Sequence, residues 1–124
     1  SAQSQRLNAV SSNLANANTV ASTEDEVYQA RKVVFEAKMK DAINNMGQLA
    51  ERLDVSRVVQ SEAPAKKIYN PSHPQANEEG YIFLPNVDQS EEVVDMIASA
   101  NSYKAAAQVM ETTKKLALKT INLG

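Results

Sequence analysis

The C-terminal part of the chain, from Asp88 onward, contains no proline, and its first glycine is the final residue, Gly124. Nothing in this run interrupts a helix. The stretch DQSE fits a capping box, in which Asp88 accepts hydrogen bonds from first-turn amides and Glu91 reaches back. The sequence therefore predicts a single helix of about 34 residues, roughly 50 Å long at 1.5 Å per residue.

Charged residues are sorted along this predicted helix. Acidic residues lie at its start and lysines near its end: Glu91, Glu92 and Asp95, then Lys114, Lys115 and Lys119. We expect this arrangement to complement the helix dipole.

Apolar residues occupy more than one face of the same helix. A heptad stripe, interrupted at Lys114, consists of Met96, Ala100, Tyr103, Ala107, Met110, Ala117 and Ile121. A neighbouring face adds Ala106, Val109, Leu116 and Leu123. Because one partner helix cannot cover both faces, we expect neighbouring copies of the chain to pack here. A monomeric helical hairpin with a long exposed end is the alternative.

The N-terminal part predicts a second helix over residues 1–17. Its narrow apolar stripe, spaced by three and four, is formed by Leu7, Val10, Leu14 and Ala17. Such a stripe indicates one partner helix, although an ordinary surface helix on its own core would show the same pattern.

The stretch SSNLANANTV concentrates amide side chains at the end of this first helix. Asparagine tolerates left-handed backbone, so Asn16 or Asn18 is expected to close the helix. Buried amides on Asn13 and Asn16 could bond neighbouring backbone where several helices meet and so fix their register. An exposed helix end with several amides is the alternative reading.

The middle of the chain predicts strands joined by irregular segments. RKVVFEA and LDVSRVVQ favour strands over residues 30–37 and 53–60, whereas residues 38–52 between them are compatible with a short helix or a loop. All four prolines fall in residues 64–85, which predicts an ordered but irregular arm with a short extended segment at 82–84.

Catalytic, metal and nucleic-acid chemistry is poorly supported. The net charge of −2 gives no field for nucleic acid or anionic membrane, and the absence of cysteine excludes thiolate metal sites. His73 is the only histidine and lies between prolines, without a second base, nucleophile or metal ligand in the local motif. No apolar run is long enough to span a bilayer. We therefore expect no enzyme activity, cofactor, metal, small-molecule substrate or direct membrane insertion.

Both ends of the chain carry a family resemblance. AQSQRLNAVSSNLANANTV resembles the N-terminal signature of bacterial flagellar axial proteins, the rod and hook family. YQARKVVFEA, APAKKIYNPSHPQANEEGYIFLPNV and the C-terminal stretch EEVVDMIASANSYKAAAQVMETTKKLALKTINLG resemble the proximal-rod members of that family, and the likeness excludes only residues 38–52. Family members usually begin some residues earlier, so we expect part of the first helix to be absent from this sequence.

Together, the residues and the resemblance imply an α+β subunit. Its N- and C-terminal helices are expected to pack as an antiparallel, coiled-coil-like pair around a small β-rich middle. The expected divisions are 1–18 and 87–124 as the helices of a rod core, with 19–86 as the connection, β-rich region and extended arm.

The resemblance also implies a function and a set of partners. The expected function is a structural, non-enzymatic subunit of the flagellar basal-body proximal rod, which crosses the periplasm and transmits torque. The expected partners are copies of itself, other rod proteins and the flagellar type III export apparatus. The residues expected at subunit or helix interfaces are Leu7, Val10, Asn13, Leu14, Asn16, Met96, Ala100, Tyr103, Ala107, Met110, Leu116, Ala117 and Ile121. A soluble helical adaptor, or a protein like an export chaperone that binds one client, is the alternative.

Overall fold

The computed structural model describes residues 2–39 and 52–123, which form two terminal helices around two small sheets. The elements in chain order are α1 (Ala2–Ala15), β1 (Arg31–Met39), β2 (Arg52–Gln60), β3 (Lys66–Tyr69), β4 (Tyr81–Leu84) and α2 (Gln89–Leu123). The predicted α+β class is confirmed. Apart from its ends, which belong to β1 and β2, the segment 38–52 lies outside the described residues.

β1 and β2 form an antiparallel pair in which Arg31 lies opposite Gln60 and Val33 opposite Val58. The strands predicted at 30–37 and 53–60 are confirmed to within two residues at each end. Valines at positions 33, 34, 55, 58 and 59 favour the two strands, because β-branched side chains pack well on a pleated, half-buried surface.

β3 and β4 form a second antiparallel pair, from Lys66 opposite Leu84 to Tyr69 opposite Tyr81. The prediction of an irregular arm was wrong for β3. The sequence of β3, KKIY, shows no alternation of polar and apolar residues that would indicate a strand, and all four residues are exposed. β4 matches the predicted extended segment, and Phe83 exchanges two backbone hydrogen bonds with Ala21, at 3.0 and 2.9 Å.

The connection from β3 to β4 ends at Gly80, whose φ of 87° lies in the left-handed region. A Cβ at this position would lie 2.8 Å from Cε1 of Tyr69 and 3.2 Å from Cβ of Pro71. Glycine is therefore required by the backbone conformation and by the close approach of the tyrosine ring.

α1 ends without a left-handed asparagine. Among the described residues only Gly80 has a positive φ, so the predicted left-handed closure at Asn16 or Asn18 was wrong. Instead, Nδ2 of Asn16 donates to the Ser12 carbonyl at 2.9 Å, and the Asn16 carbonyl accepts the Thr19 amide at 3.2 Å. The Ser12 carbonyl also accepts the Asn16 backbone amide at 3.1 Å, so the Asn16 side chain adds a second hydrogen bond to the last turn of the helix.

α2 begins at the predicted Asp88 cap, but the predicted return bond from the Glu91 side chain is absent among the described residues. Oδ1 of Asp88 accepts the amides of Ser90 and Glu91, at 3.1 and 3.3 Å. The helix is 35 residues long, close to the predicted length, but its last turn contains no basic residue. The acidic half of the dipole prediction is confirmed, since Glu91 and Glu92 lie in the first turn, but the lysine half was wrong, because the dipole acts mainly within the terminal turn.

The two helices run antiparallel. Arg6, in the first half of α1, contacts Asp95 in the second turn of α2 at 3.5 Å. Asn18, just after the end of α1, contacts Gln89 at the start of α2 at 3.1 Å. As α1 advances, its contacts therefore move back toward the start of α2. Beneath this pair, Val87 is 2% exposed and packs in a small core with Ala17 and Ala30. α2 is buried against the rest of the chain only as far as Ser99.

Candidate assembly surface

The α1 residues that were expected at interfaces differ in how deeply they are buried within the chain. Val10 is 4% exposed and Asn13 is 1% exposed, whereas Leu7, Leu14 and Asn16 are half-buried. This set therefore lies at the intrachain contact of α1, and Asn13 is its most buried polar member.

Asn13 joins α1 to the start of β1. Its Oδ1 accepts the Arg31 amide at 2.8 Å, and its Nδ2 donates to the Arg31 carbonyl at 2.9 Å. The side-chain amide thus satisfies both backbone polar groups of one residue, as a neighbouring strand would. The sequence predicts that the Asn13 amide bonds the backbone of a neighbouring helix. The backbone that it bonds is that of Arg31 in the same chain.

Tyr28 completes the environment of the Asn13 amide. Its hydroxyl donates to Oδ1 of Asn13 at 2.8 Å, and the Ser12 hydroxyl lies 2.8 Å from the same phenolic oxygen. Because the phenol has a single proton, which goes to Asn13, Ser12 is the donor in the second bond. The phenol therefore links two residues of α1.

Glu92 brings α2 close to the same point, where the Asn13 side chain interacts with its carboxylate. Burial raises the pKa of Glu92 above its ordinary value, and the charges of Asp95 and Glu91 act in the same direction. The Asn13 interaction and the charge of Lys32 oppose that rise. Oε2 of Glu92 is buried and has no hydrogen-bond partner in the part of the chain that the structure describes.

The interface residues predicted in α2 lie mostly in solvent. Met96 is half-buried near α1, but every residue from 100 to 122 is exposed. The large side chains of the predicted set beyond that point are exposed by 50% to 73%: Tyr103, Met110, Leu116 and Ile121. Ala100, Ala107 and Ala117 lie exposed among them. We call residues 101–122 the distal part of α2.

Sequence reasoning missed a cleft of about 560 Å³ at the base of α2, which we call the basal cleft. One wall is the acidic first turns of α2, and the others come from α1, β1 and the segments around Ser61 and Asn86. Its lining includes Arg6, Val10, Val33, Phe35, Asp88, Glu91, Glu92 and Asp95. Because these residues are far apart in the sequence, no local motif could have revealed the cleft.

The described residues offer little for catalysis. Within 2–39 and 52–123, no group of three or more His, Cys, Asp or Glu side chains is placed to hold a metal ion. Nδ1 of His73 accepts the Gln75 amide at 3.0 Å, so this ring participates in a turn. None of the described helices is both long and apolar enough to cross a membrane.

Two family models match the ends of the chain. Residues 1–20 match the family described as flagella basal body rod protein. Residues 78–123 match the C-terminal family of flagellar basal body rod FlgEFG proteins. The first match covers α1 and its exit, and the second covers β4 and α2.

Relatives align with nearly the whole chain. The flagellar basal-body rod protein FlgC of Yersinia enterocolitica is 40% identical over 124 residues, covering 100% of this chain and 89% of the relative. FlgC of Salmonella typhimurium is 42% identical, covering 99% and 88%. FlgC of Bacillus subtilis is 32% identical over 134 residues, covering 99% and 89%.

Proposed function

The chain belongs to the FlgC family of flagellar basal-body rod proteins, and from this premise we propose how its fold serves the rod. It is a structural subunit of the flagellar basal-body rod and assembles with other rod components. We propose that the distal part of α2 is its principal assembly surface, packing against copies of itself and other rod proteins. In this role the subunit transmits torque mechanically and catalyses no reaction.

The observation that carries this proposal is the exposure of apolar side chains along the distal part of α2. Met110 and Ile121 are each 73% exposed, and Val109 on a neighbouring face is 65% exposed. Contiguous apolar surface of this kind marks interaction sites in proteins that are otherwise soluble. Within the described residues, α1 accompanies only the base of α2, and no described element buries the distal surface.

Divisions of the chain follow from the same proposal. Residues 1–18 and 87–124 supply the helical rod core, while residues 19–86 form the connection and the β-rich outer region. We further propose that the chain leaves the cell through the flagellar type III export apparatus and that its rod crosses the periplasm.

A double variant tests the assembly surface. Met110→Ser with Ile121→Ser removes apolar area that packs on no other described element of the monomer, so the melting temperature of the purified chain should change little. In cells whose own gene for this subunit is deleted, the variant should fail to enter basal bodies and should not restore swimming. Gln108→Ser with Asn122→Ser, two exposed polar positions of the same helix, is the matched control and should support normal rods.

Basal bodies that contain the apolar-to-serine variant at wild-type levels would contradict the proposal. A stable one-to-one complex of the wild-type chain with a dispersed client, in place of ordered assembly that depends on concentration, would favour an adaptor.

A further inference from the structure

The backbone of β3 has a free edge. In an antiparallel pair, successive residues direct their N–H and C=O groups alternately toward the partner strand and away from it. Phe83 of β4 exchanges both of its backbone bonds with Ala21, so its polar groups point away from β3. Its partner in the register, Lys67, therefore directs its own N–H and C=O away from β4, and so does Tyr69, two residues further along the strand.

These outward groups have no hydrogen-bond partner in the part of the chain that the structure describes. All four residues of β3 are exposed, and β4 is the only described helix or strand that packs against it. Lys67 and Tyr69 thus present two N–H and two C=O groups along an open edge, in the alternation that a further strand requires.

The usual protections of an open edge are missing from β3. Natural proteins guard such edges with lysine side chains, proline or a bulge. β3 contains no proline, and its register with β4 has no bulge. Its two lysines are held on the β4 side: Nζ of Lys66 donates to the Val87 carbonyl at 3.0 Å, and Nζ of Lys67 lies 4.3 Å from the centre of the Tyr81 ring. Neither lysine therefore blocks the free edge.

β3 is held extended within the monomer. The Asn70 amide donates to the Gly80 carbonyl at 2.9 Å, which continues the ladder beyond the end of the strand. The rings of Tyr69 and Tyr81 pack edge to face, with their centroids 5.2 Å apart. A strand that is already fixed loses little conformational entropy when another segment pairs with it.

The side chains beside this edge indicate the chemistry of a partner. Lys67, Tyr69, Tyr81 and Phe83 share one face of the β3–β4 pair, because opposite residues in the register point to the same side. The chain has four tyrosines and two phenylalanines, and three of these six aromatic residues lie on this face. Tyr69 is 63% exposed, and Lys67 makes no ion pair with the described residues. A segment with a carboxylate beside Lys67 and an apolar side chain over Tyr69 would match the face.

Resting on the function proposed above, we propose that the free edge of β3 binds an extended acidic segment of a neighbouring rod subunit as an added strand. Backbone hydrogen bonds to Lys67 and Tyr69 set the register of that segment, and its carboxylate pairs with the Lys67 ammonium. This contact is separate from the distal part of α2 and ties the β-rich region of one subunit to the next.

Amide hydrogen exchange, resolved to single residues by mass spectrometry, tests the added strand. In the purified monomer the Ile68 amide, which faces β4, should exchange slowly, whereas the amides of Lys67 and Tyr69 should exchange quickly. In isolated basal bodies the two outward amides should slow by at least about tenfold, because the added strand supplies their acceptors. Equal exchange of these amides in the monomer and in basal bodies would overturn the inference.

Proline at position 67 tests the outward amide by substitution. An edge strand tolerates proline where the N–H faces solvent, so Lys67→Pro should leave the β3–β4 pair intact. Lys67→Ala is the matched control, since it removes the same side chain and keeps the amide. The two variants should melt alike, yet Lys67→Pro should enter basal bodies about tenfold less well than Lys67→Ala. Equal incorporation of variants that melt alike would contradict strand addition.

A charge reversal tests the acidic character of the partner. Lys67→Glu should incorporate about tenfold less well than the neutral Lys67→Gln, because it places two carboxylates together. Equal incorporation of these two variants would exclude a carboxylate beside Lys67.

The outcomes separate this inference from the function on which it rests. Wild-type subunits within basal bodies whose amides at 67 and 69 still exchange quickly would overturn the added strand and leave the structural role intact. Absence of the wild-type chain from basal bodies would instead contradict the proposed function.

Discussion

The side-chain amide of Asn13 takes the place of a strand partner for Arg31, accepting its amide at 2.8 Å and donating to its carbonyl at 2.9 Å. The same side chain is bonded to Tyr28 and interacts with the Glu92 carboxylate. One residue of α1 thus holds the beginning of β1 and the base of α2 in a common geometry.

Replacing Asn13 should destabilise the monomer. Asn13→Ala leaves the two backbone groups of Arg31 and the Tyr28 hydroxyl without their partner. Stranding a buried polar group costs about 1–3 kcal/mol, so for these three groups we expect a loss of at least about 3 kcal/mol in the free energy of unfolding. Urea denaturation would measure it. Asn8→Ala, at an exposed position of α1, is the control, and equal stability of the two variants would contradict this role.

Glu92 should make stability depend on pH. Its pKa is raised in the folded chain, chiefly by burial, so the folded state binds more protons than the unfolded state between the ordinary and the raised pKa. Stability contributed by this group is therefore present below the ordinary pKa and is lost as the pH rises through the raised value.

The variant Glu92→Gln should remove that loss, because its amide oxygen can still accept from Asn13 without carrying charge. Thermal melts from mildly acidic to neutral pH should show a flatter profile for Glu92→Gln than for wild type. Glu78→Gln, at an exposed position between β3 and β4, should retain the wild-type profile. Identical profiles for Glu92→Gln and wild type would show that another group governs the response.

Ala100 and Ala107 should matter for assembly and little for folding. Both are exposed in the monomer, on the stripe that also carries Tyr103 and Met110. Ala100→Leu with Ala107→Leu should leave melting unchanged and slightly raise helicity, yet block incorporation, since overpacking a close helix contact costs about 1–3 kcal/mol per site. Circular dichroism of the monomer and basal-body assays would check this. Normal rods from the double variant would exclude a close-packed contact at these alanines.

Amide hydrogen exchange should be slower in α1 than in the distal part of α2. α1 buries Ala9, Val10 and Asn13, so opening it requires breaking tertiary contacts, whereas the distal part of α2 lacks such contacts. In a verified monomer, residues 9–15 should exchange more slowly than residues 103–121. Uniform protection of both helices would mean that the distal part is stabilised by something other than tertiary burial.

Gly80 should be intolerant of a side chain. Its φ of 87° is unfavourable for other residues, and a Cβ would lie 2.8 Å from the Tyr69 ring. Gly80→Ala should lower the free energy of unfolding by about 2 kcal/mol, since left-handed backbone alone costs about 1–2 kcal/mol. The neighbouring exposed Glu79→Ala should have little effect, and a wild-type melting curve for Gly80→Ala would refute the argument.

Sequence reasoning identified the elements whose signals are local. The uninterrupted run after Asp88 predicted α2, and β-branched residues predicted β1 and β2. β3 escaped because its four exposed residues show no alternation. The prediction of a left-handed asparagine was wrong, because Asn16 caps the helix through a side-chain hydrogen bond to the Ser12 carbonyl and not through a positive φ.

The candidate site was harder to predict from the sequence, because its residues come from distant parts of the chain. The position of Asn13 beside the apolar stripe predicts that its amide is buried. The sequence does not predict that this amide bonds the backbone of Arg31. The basal cleft depends on Arg6, Phe35 and Glu91 meeting in space, which only the packing of α1, β1 and α2 determines.

The unequal support of α2 has a mechanical consequence. The described residues hold the helix only as far as Ser99, so with their support alone it is a cantilever, and a sideways force at Ile121 acts through a lever arm of about 33 Å at 1.5 Å per residue. Such a beam bends easily when alone. Clamping its free length between neighbours shortens the unsupported span, so the rigidity of an assembled shaft arises from the number of neighbours along each helix rather than from the stiffness of any one subunit.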